Sequence, residues 1–214
     1  MSAAKDATIA ETYKARINAL KDGGGRKILG IVGPPGCGKS TLAAALLELL
    51  GDDAVAVPMD GYHLANVELA RLGRAGRKGA EDTFDSAGYV SLLRRLKEQQ
   101  ANEIVYAPEF RREIEEPIAN AIPVFPETQL VITEGNYLLL DHGHWAGVSE
   151  LLDEIWYVDI DHSVRRERLV KRHMHFGRSQ SAAEDWVANT DEPNAVRIEA
   201  TKHRADVLFN WEGE

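Results

Sequence analysis

The chain has 214 residues, 44% hydrophobic and 28% charged, enough to bury one sizeable core. Its formal net charge of −9 argues against nonspecific binding to nucleic acid or to an anionic membrane, since both depend on lysine and arginine neutralising phosphate. Cys37 is the one cysteine, which excludes an internal disulfide, and no apolar run approaches the roughly 20 residues of a bilayer span. The N-terminal stretch scatters charge where a secretory segment needs apolar residues, so a soluble, cytoplasmic protein is expected.

In chain order, AETYKARINAL predicts an amphipathic helix stopped by Gly23, Gly24 and Gly25. Residues 27–32 (KILGIV) read as a buried strand, followed by GPPGCGKS and by KSTLAAALLELL, a run of good helix formers. Residues 54–58 read as a second strand, and SAGYVSLLRRLKEQ as a helix whose buried face carries Tyr89, Leu92, Leu93 and Leu96. EIVYAPEF and AIPVFP predict a peripheral hairpin or edge strands, because their prolines cannot donate to a central ladder. Residues 130–135, 154–160 and 206–211 supply three more strands. Short β-branched runs alternating with helices predict an α/β three-layer sandwich, with a mainly parallel five-stranded sheet and helices on both faces. No repeat or linker interrupts the pattern, so residues 1–214 read as a single domain with a helical lid near 161–178.

GPPGCGKS fits G-x-x-x-x-G-K-[ST], with Gly33, Gly38, Lys39 and Ser40 in the fixed places, and it lies between a strand and a helix as that loop requires. Gly33, Pro34, Pro35, Gly36, Cys37, Gly38, Lys39, Ser40 and Thr41 are therefore the candidate cradle for a nucleoside triphosphate, with inward N–H groups and a helix start favouring phosphate. Lys39 would bridge the β and γ phosphates and the Ser40 hydroxyl would coordinate Mg²⁺. The bland alternative is a glycine-rich connecting turn, in which Cys37 is a filler residue. Such a loop is shared by switches, motors and kinases, so the acceptor must be sought elsewhere.

In open α/β sheets ligands bind beyond the carboxyl ends of the strands, and VPMDGYHL leaves the second strand at that edge. Asp60 there suits a general base that takes the proton of an attacking hydroxyl, with Tyr62 and His63 lining the acceptor pocket. A turn or helix cap is the competing role for Asp60.

Together with the phosphate loop, PMDGYHL resembles the kinase group of uridine kinase, pantothenate kinase and phosphoribulokinase, in which an aspartate after the second strand is the proposed base. The likeness continues through RKGAEDTFD, YAPEFRREIEEPIANAIPV and EGNYLLL, covers roughly residues 25–210, and is greater toward bacterial proteins provisionally named fructose transport system kinases. The resemblance implies ATP and Mg²⁺, a sugar or sugar-like hydroxyl acceptor ahead of nucleosides and pantothenate, and leaves room for a homodimer. It gives Glu134 the acidic role after the third strand, on Mg²⁺ or the acceptor, and puts Asp82 and Phe84 near the acceptor. Arg111, Arg112 and Glu115 lie in a block distinctive of the fructose-named group and are candidate acceptor contacts. Arg165, Arg168 and Arg172, at i, i+3 and i+7, share one helical face suited to clamping phosphate, with Arg178 reaching in from the far end of the lid.

Asp85 is expected to cap the following helix. NTDEPNA reads as a helix break and restart, with Pro193 in a first turn and Asn189, Asp191 or Asn194 as caps. The basic stretch 71–78 allows an acceptor that is already phosphorylated. The histidines show no zinc spacing. The rival class is a nucleotide-dependent switch that binds a protein partner and has no use for Asp60.

Overall fold

The computed structural model of the protein describes residues 9–211. Its main sheet is centred on β1 (Lys27–Val32), flanked by β5 (Leu130–Gly135) and β6 (Glu154–Val158) and completed at the edges by β2 (Ala54–Ala56) and β7 (Val207–Phe209). The order is β2-β5-β1-β6-β7, and every pairing is parallel. Parallel strands need crossovers that cover both faces, which is why β1 and β5 are buried along almost their whole length.

Strand alternation divides the core into two layers. Leu29, Ile31, Leu130, Ile132, Trp156 and Val158 meet α1 (Glu11–Asp22) and α2 (Lys39–Leu50) through Ile17, Leu42 and Leu46. Ile28, Val131, Ile155 and Tyr157 face the opposite way, onto α4 (Ser86–Lys97). The buried face of α4 carries Tyr89, Leu92, Leu93 and Leu96 as its periodicity predicts, and Asp85 caps it by accepting the Gly88 amide at 2.8 Å. Replacing one such leucine with alanine typically costs about 2–5 kcal/mol.

Three strands are shorter than the sequence suggests, each for a local reason. At β2 the ladder continues through Val57 N–H to the Ile132 carbonyl at 2.8 Å, after which the Val57 carbonyl accepts the Thr133 hydroxyl and the chain enters the turn Met59–Tyr62. At β7 the side chain of Asp206 takes the Ile155 amide at 2.8 Å in place of a ladder carbonyl. β6 stops at Val158, past which the Asp159 amide still reaches the Phe209 carbonyl at 2.9 Å.

The expected hairpin is a separate two-stranded antiparallel sheet, β3 (Val105–Arg111) with β4 (Glu116–Val124). Pro108 falls where the register shifts, and Pro117 and Pro123 stand opposite Phe110 and Tyr106, all tolerable in a two-stranded ribbon. The short helix α3 (Asn66–Arg71), absent from the sequence reading, lies under the hairpin tip.

The predicted lid begins with α5 (His162–His175), capped by Asp161. Beyond residue 178, where the predicted lid ends, the chain continues as α6 (Gln180–Trp186), one wide π-type turn at Val187–Asp191, and α7 (Glu192–Glu199). The helix expected to break here instead absorbs one extra residue. Pro193 does stand in the first turn of α7, but the capping roles differ, because Asn189 donates to the Asp185 carbonyl and Asp191 bonds His173.

Candidate active site

The loop between β1 and α2 folds tightly enough that Lys39, almost wholly buried, donates to the carbonyls of Gly33 at 2.9 Å and Pro34 at 3.2 Å. Cys37 is fully buried, and burial pushes its thiol up despite the nearby Lys39, as befits a filler residue and not a reactive thiol. α5 rests directly on this loop. Gly36 has φ +81°, and a Cβ there would lie 2.7 Å from Leu169 Cγ and 3.1 Å from the Arg165 carbonyl, so only glycine lets the lid helix pack so close.

At the first turn of α2 the Ser40 hydroxyl donates to Glu134 Oε1 at 2.7 Å. Glu134 is buried at the end of β5, and burial raises its pKa; Asp60 raises it further, while Lys39, the Ser40 hydrogen bond and Arg112 oppose the shift. Two carboxylates, a lysine and a hydroxyl thus converge at the carboxyl edge of the sheet. One residue before Glu134, Thr133 donates to the Val57 carbonyl at 2.7 Å and shares a 2.6 Å hydrogen bond with the Tyr89 hydroxyl. This buried link ties β5, the exit of β2 and α4 together behind the site. Its signal was a threonine inside the apolar run LVIT, where a buried hydroxyl demands partners.

Asp60 sits in the tight turn Met59–Tyr62. A Cβ on Gly61 would lie 2.3 Å from the Pro108 carbonyl oxygen, so the glycine admits the backbone of β3 against the turn. Across that contact Arg112 Nη2 meets Asp60 Oδ2 at 3.3 Å. His63 is held between Phe84 and Phe110, with centroids 4.0 and 4.5 Å away, and its Nδ1 lies 2.8 Å from the Asp60 carbonyl. A carbonyl can only accept, so Nδ1 carries the proton, and burial lowers the pKa of this histidine.

The remaining candidates are divided. Phe84 is buried in an aromatic cluster with Tyr137 and Trp145. Tyr62 packs edge-on against Tyr89, and burial pushes its phenol up to about 12. Arg111 pairs with Glu109 at 2.8 Å. Asp82 is gripped by Arg77 through both terminal nitrogens, at 2.7 and 2.5 Å, and approached by Arg74 at 3.5 Å. With Arg71 on Glu68 and Lys78 on Asn66 and the Glu115 carbonyl, each cation of the stretch 71–78 has a partner within the protein.

The expected arginine stripe of α5 is also split. Arg165 is buried, its Nη2 on Glu192 at 2.6 Å and its Nη1 near the Pro35 carbonyl at 3.4 Å, so it joins phosphate loop to α7. Arg168 and Arg172 are exposed. Arg172 is nonetheless crowded by protein atoms: desolvation lowers its pKa, Arg112 adds to the effect, and Asp191, Asp60 and Glu115 oppose it. Arg172 therefore lies in the field of Asp60, Arg112 and Glu115. Arg178 stacks over Trp186 at 4.0 Å, and His173 bonds Asp191 at 2.8 Å. Glu192, the partner of Arg165, escaped the sequence reading although it stands inside NTDEPNA.

A model of the Phosphoribulokinase / Uridine kinase family matches residues 28–213. The chain belongs to that family. It is 36% identical over 197 residues to a Schizosaccharomyces pombe protein provisionally named uridine kinase C227.14, covering 88% of this chain and 83% of that one. A crystal structure from Silicibacter sp. TM1040, provisionally named a fructose transport system kinase, superposes with a TM-score of 0.83 at 35% identity, over 94% of this chain and all of the other. YFH7 of Saccharomyces cerevisiae shares the fold, with a TM-score of 0.81 at 18% identity over 94% of this chain and 99% of that one. The chain is thus a P-loop kinase whose family membership implies ATP as phosphoryl donor, and among the described residues no helix is long and apolar enough to cross a membrane.

Proposed function

We propose that this protein transfers the γ-phosphoryl group of ATP to a hydroxyl of a small molecule, with a sugar or sugar-like alcohol as the leading acceptor class. The observation that carries the reading is the convergence of Asp60 with Glu134, Ser40 and Lys39 at one sheet edge. A switch that only binds nucleotide has no use for a second carboxylate held there by Gly61 and Pro108.

Lys39 exchanges the carbonyls of Gly33 and Pro34 for phosphate oxygens, and the amides of residues 36–41 align the triphosphate, Pro34 and Pro35 having no N–H to give. Asp60 takes the proton as the hydroxyl attacks, a contribution of about 10²–10⁴ in rate. Arg172, and Arg168 on the same helix, offset the charge spreading over the transferred group. The donor set of Ser40 hydroxyl and buried Glu134 carboxylate suits a hard cation, and Mg²⁺ held there would supply neutralisation of the phosphate charge. A sugar-like acceptor is favoured by likeness to the Silicibacter protein, whose name refers to fructose transport.

The test is ADP release from Mg·ATP across sugars, polyols, sugar acids, sugar phosphates, nucleosides and pantothenate, with Asp60→Asn alongside. An acceptor that raises turnover in the wild type, with the rise reduced about 10²–10⁴-fold in the variant, supports the reading. Slow hydrolysis indifferent to every acceptor and to Asp60 would sink it.

A further inference from the structure

Arg112 is delivered to Asp60 by a fixed frame. The hairpin tip places Glu115 at φ +53°, an uncommon conformation for a side chain-bearing residue. The Glu115 carbonyl accepts from Asn66 Nδ2 at 3.1 Å and from Lys78, while the Glu116 carboxylate takes the Asn66 amide at 3.0 and 3.1 Å. The tip is thereby pinned to the start of α3, and Arg112 projects from it toward the candidate base.

Its contact there is incomplete. One nitrogen reaches Asp60 at 3.3 Å, and the side chain stays half exposed, whereas Arg77 commits both terminal nitrogens to Asp82. A partly exposed ion pair of this kind contributes about 0–1 kcal/mol, too little to account for so constrained a presentation. A guanidinium resting on the base throughout the reaction would also favour the charged carboxylate and oppose proton uptake. A second anion would draw Arg112 off Asp60 and satisfy its fork, since arginine suits bidentate recognition of carboxylate and phosphate. The neighbouring Arg172 adds positive potential at the same wall.

We propose that the acceptor alcohol carries its own anionic group, a carboxylate or a phosphate, and that Arg112 binds it beside Asp60. The inference rests on the kinase reading above and narrows it. It assigns an anion-binding role to Arg112 beside Asp60, apart from the stretch 71–78, whose cations are engaged by Glu68, Asp82 and Asn66.

The experiment compares matched acceptors with the full chain and Mg·ATP: glycerol, glycerate and glycerol 3-phosphate, then ribose, ribonate and ribose 5-phosphate. Within a set, kcat/KM for a charged member is expected to exceed that of the neutral one by about 10–100-fold, and the preferred member tells carboxylate from phosphate. Arg112→Gln, on an exposed side chain, should raise KM for the charged acceptor by about the same factor, with Arg112→Lys recovering part and KM for ATP within about twofold of wild type. Equal or better turnover of the neutral members overturns the proposal and leaves the kinase reading standing. Defects in Arg112→Gln that fall on KM for ATP with every acceptor overturn it by moving Arg112 to the nucleotide side. A flat response to all six compounds beside turnover of a neutral acceptor elsewhere in the wider panel also overturns it and leaves the hydroxyl-kinase reading standing.

Discussion

The phosphate side of the cleft is built from consecutive residues, 33–41, whose backbone makes the site. The proposed acceptor side is assembled from Asp60 after β2, Arg112 at the hairpin tip, Glu134 at the end of β5 and Arg172 on α5, brought together only by folding. A contiguous loop can be carried unchanged among many enzymes, while a wall made of four segments changes when any one of them moves. Damage on the first side should therefore be indifferent to the acceptor, and damage on the second should depend on it.

The largest effect tests the first half of that contrast. Lys39→Met removes the cation that the loop carbonyls hold, and kcat/KM should fall by about 10²–10³ by the same factor for every acceptor turned over. Steady-state rates with two chemically different acceptors check it. A factor that varied strongly between them would mean that Lys39 also reads the acceptor, and the division into two sides would fail.

A smaller, acceptor-sided effect is expected from Gly61→Ala. The added methyl meets Pro108 backbone at 2.3 Å, which cannot rotate away as a side chain tip would, so the hairpin must shift with Arg112 on it. Overpacking of this kind costs about 1–3 kcal/mol, readable in urea unfolding. KM for the acceptor should rise while KM for ATP holds. An equal rise in both would show that the hairpin supports the whole cleft.

The same contrast explains what was legible in the sequence. All five central strands, the phosphate loop and the buried face of α4 announce themselves through local periodicity and a motif of fixed spacing. Glu134 and Asp60 could be placed at one edge because strand ends in a parallel sheet share an edge. Arg112 could be named only among neighbours, since nothing local separates it from Arg111, and the register of β3 with β4 decides which of the two reaches Asp60. Pairing was equally hidden. The charges of residues 71–78 look unpartnered until Glu68 and Asp82 are seen beside them, and the arginine stripe of α5 looks uniform until Glu192 arrives from α7 to pair with its buried member.

The smallest effect concerns Glu134, where the two sides meet, and it runs opposite in sign for activity and stability. Burial and Asp60 raise its pKa, so between the ordinary glutamate value and the raised one the folded protein holds more protons than the unfolded chain. Stability from this group is then fully present below the ordinary value and is lost as pH rises through the raised one. Glu134→Gln keeps an oxygen for the Ser40 hydroxyl but carries no charge, so it should melt higher than wild type at neutral pH while losing turnover. Gains from relieving a strained site are commonly about 0.5–2 kcal/mol, and each kcal/mol is worth about 2–4 °C in a chain of this size. Melting curves of both proteins from neutral to mildly acidic pH give the check, with the gap narrowing as wild-type Glu134 takes up its proton. A gap that widened on acidification would mean that the carboxylate is better satisfied by Lys39 and Arg112 than by a proton, and the two sides of the cleft would then be joined by a stable charge network instead of a costly one.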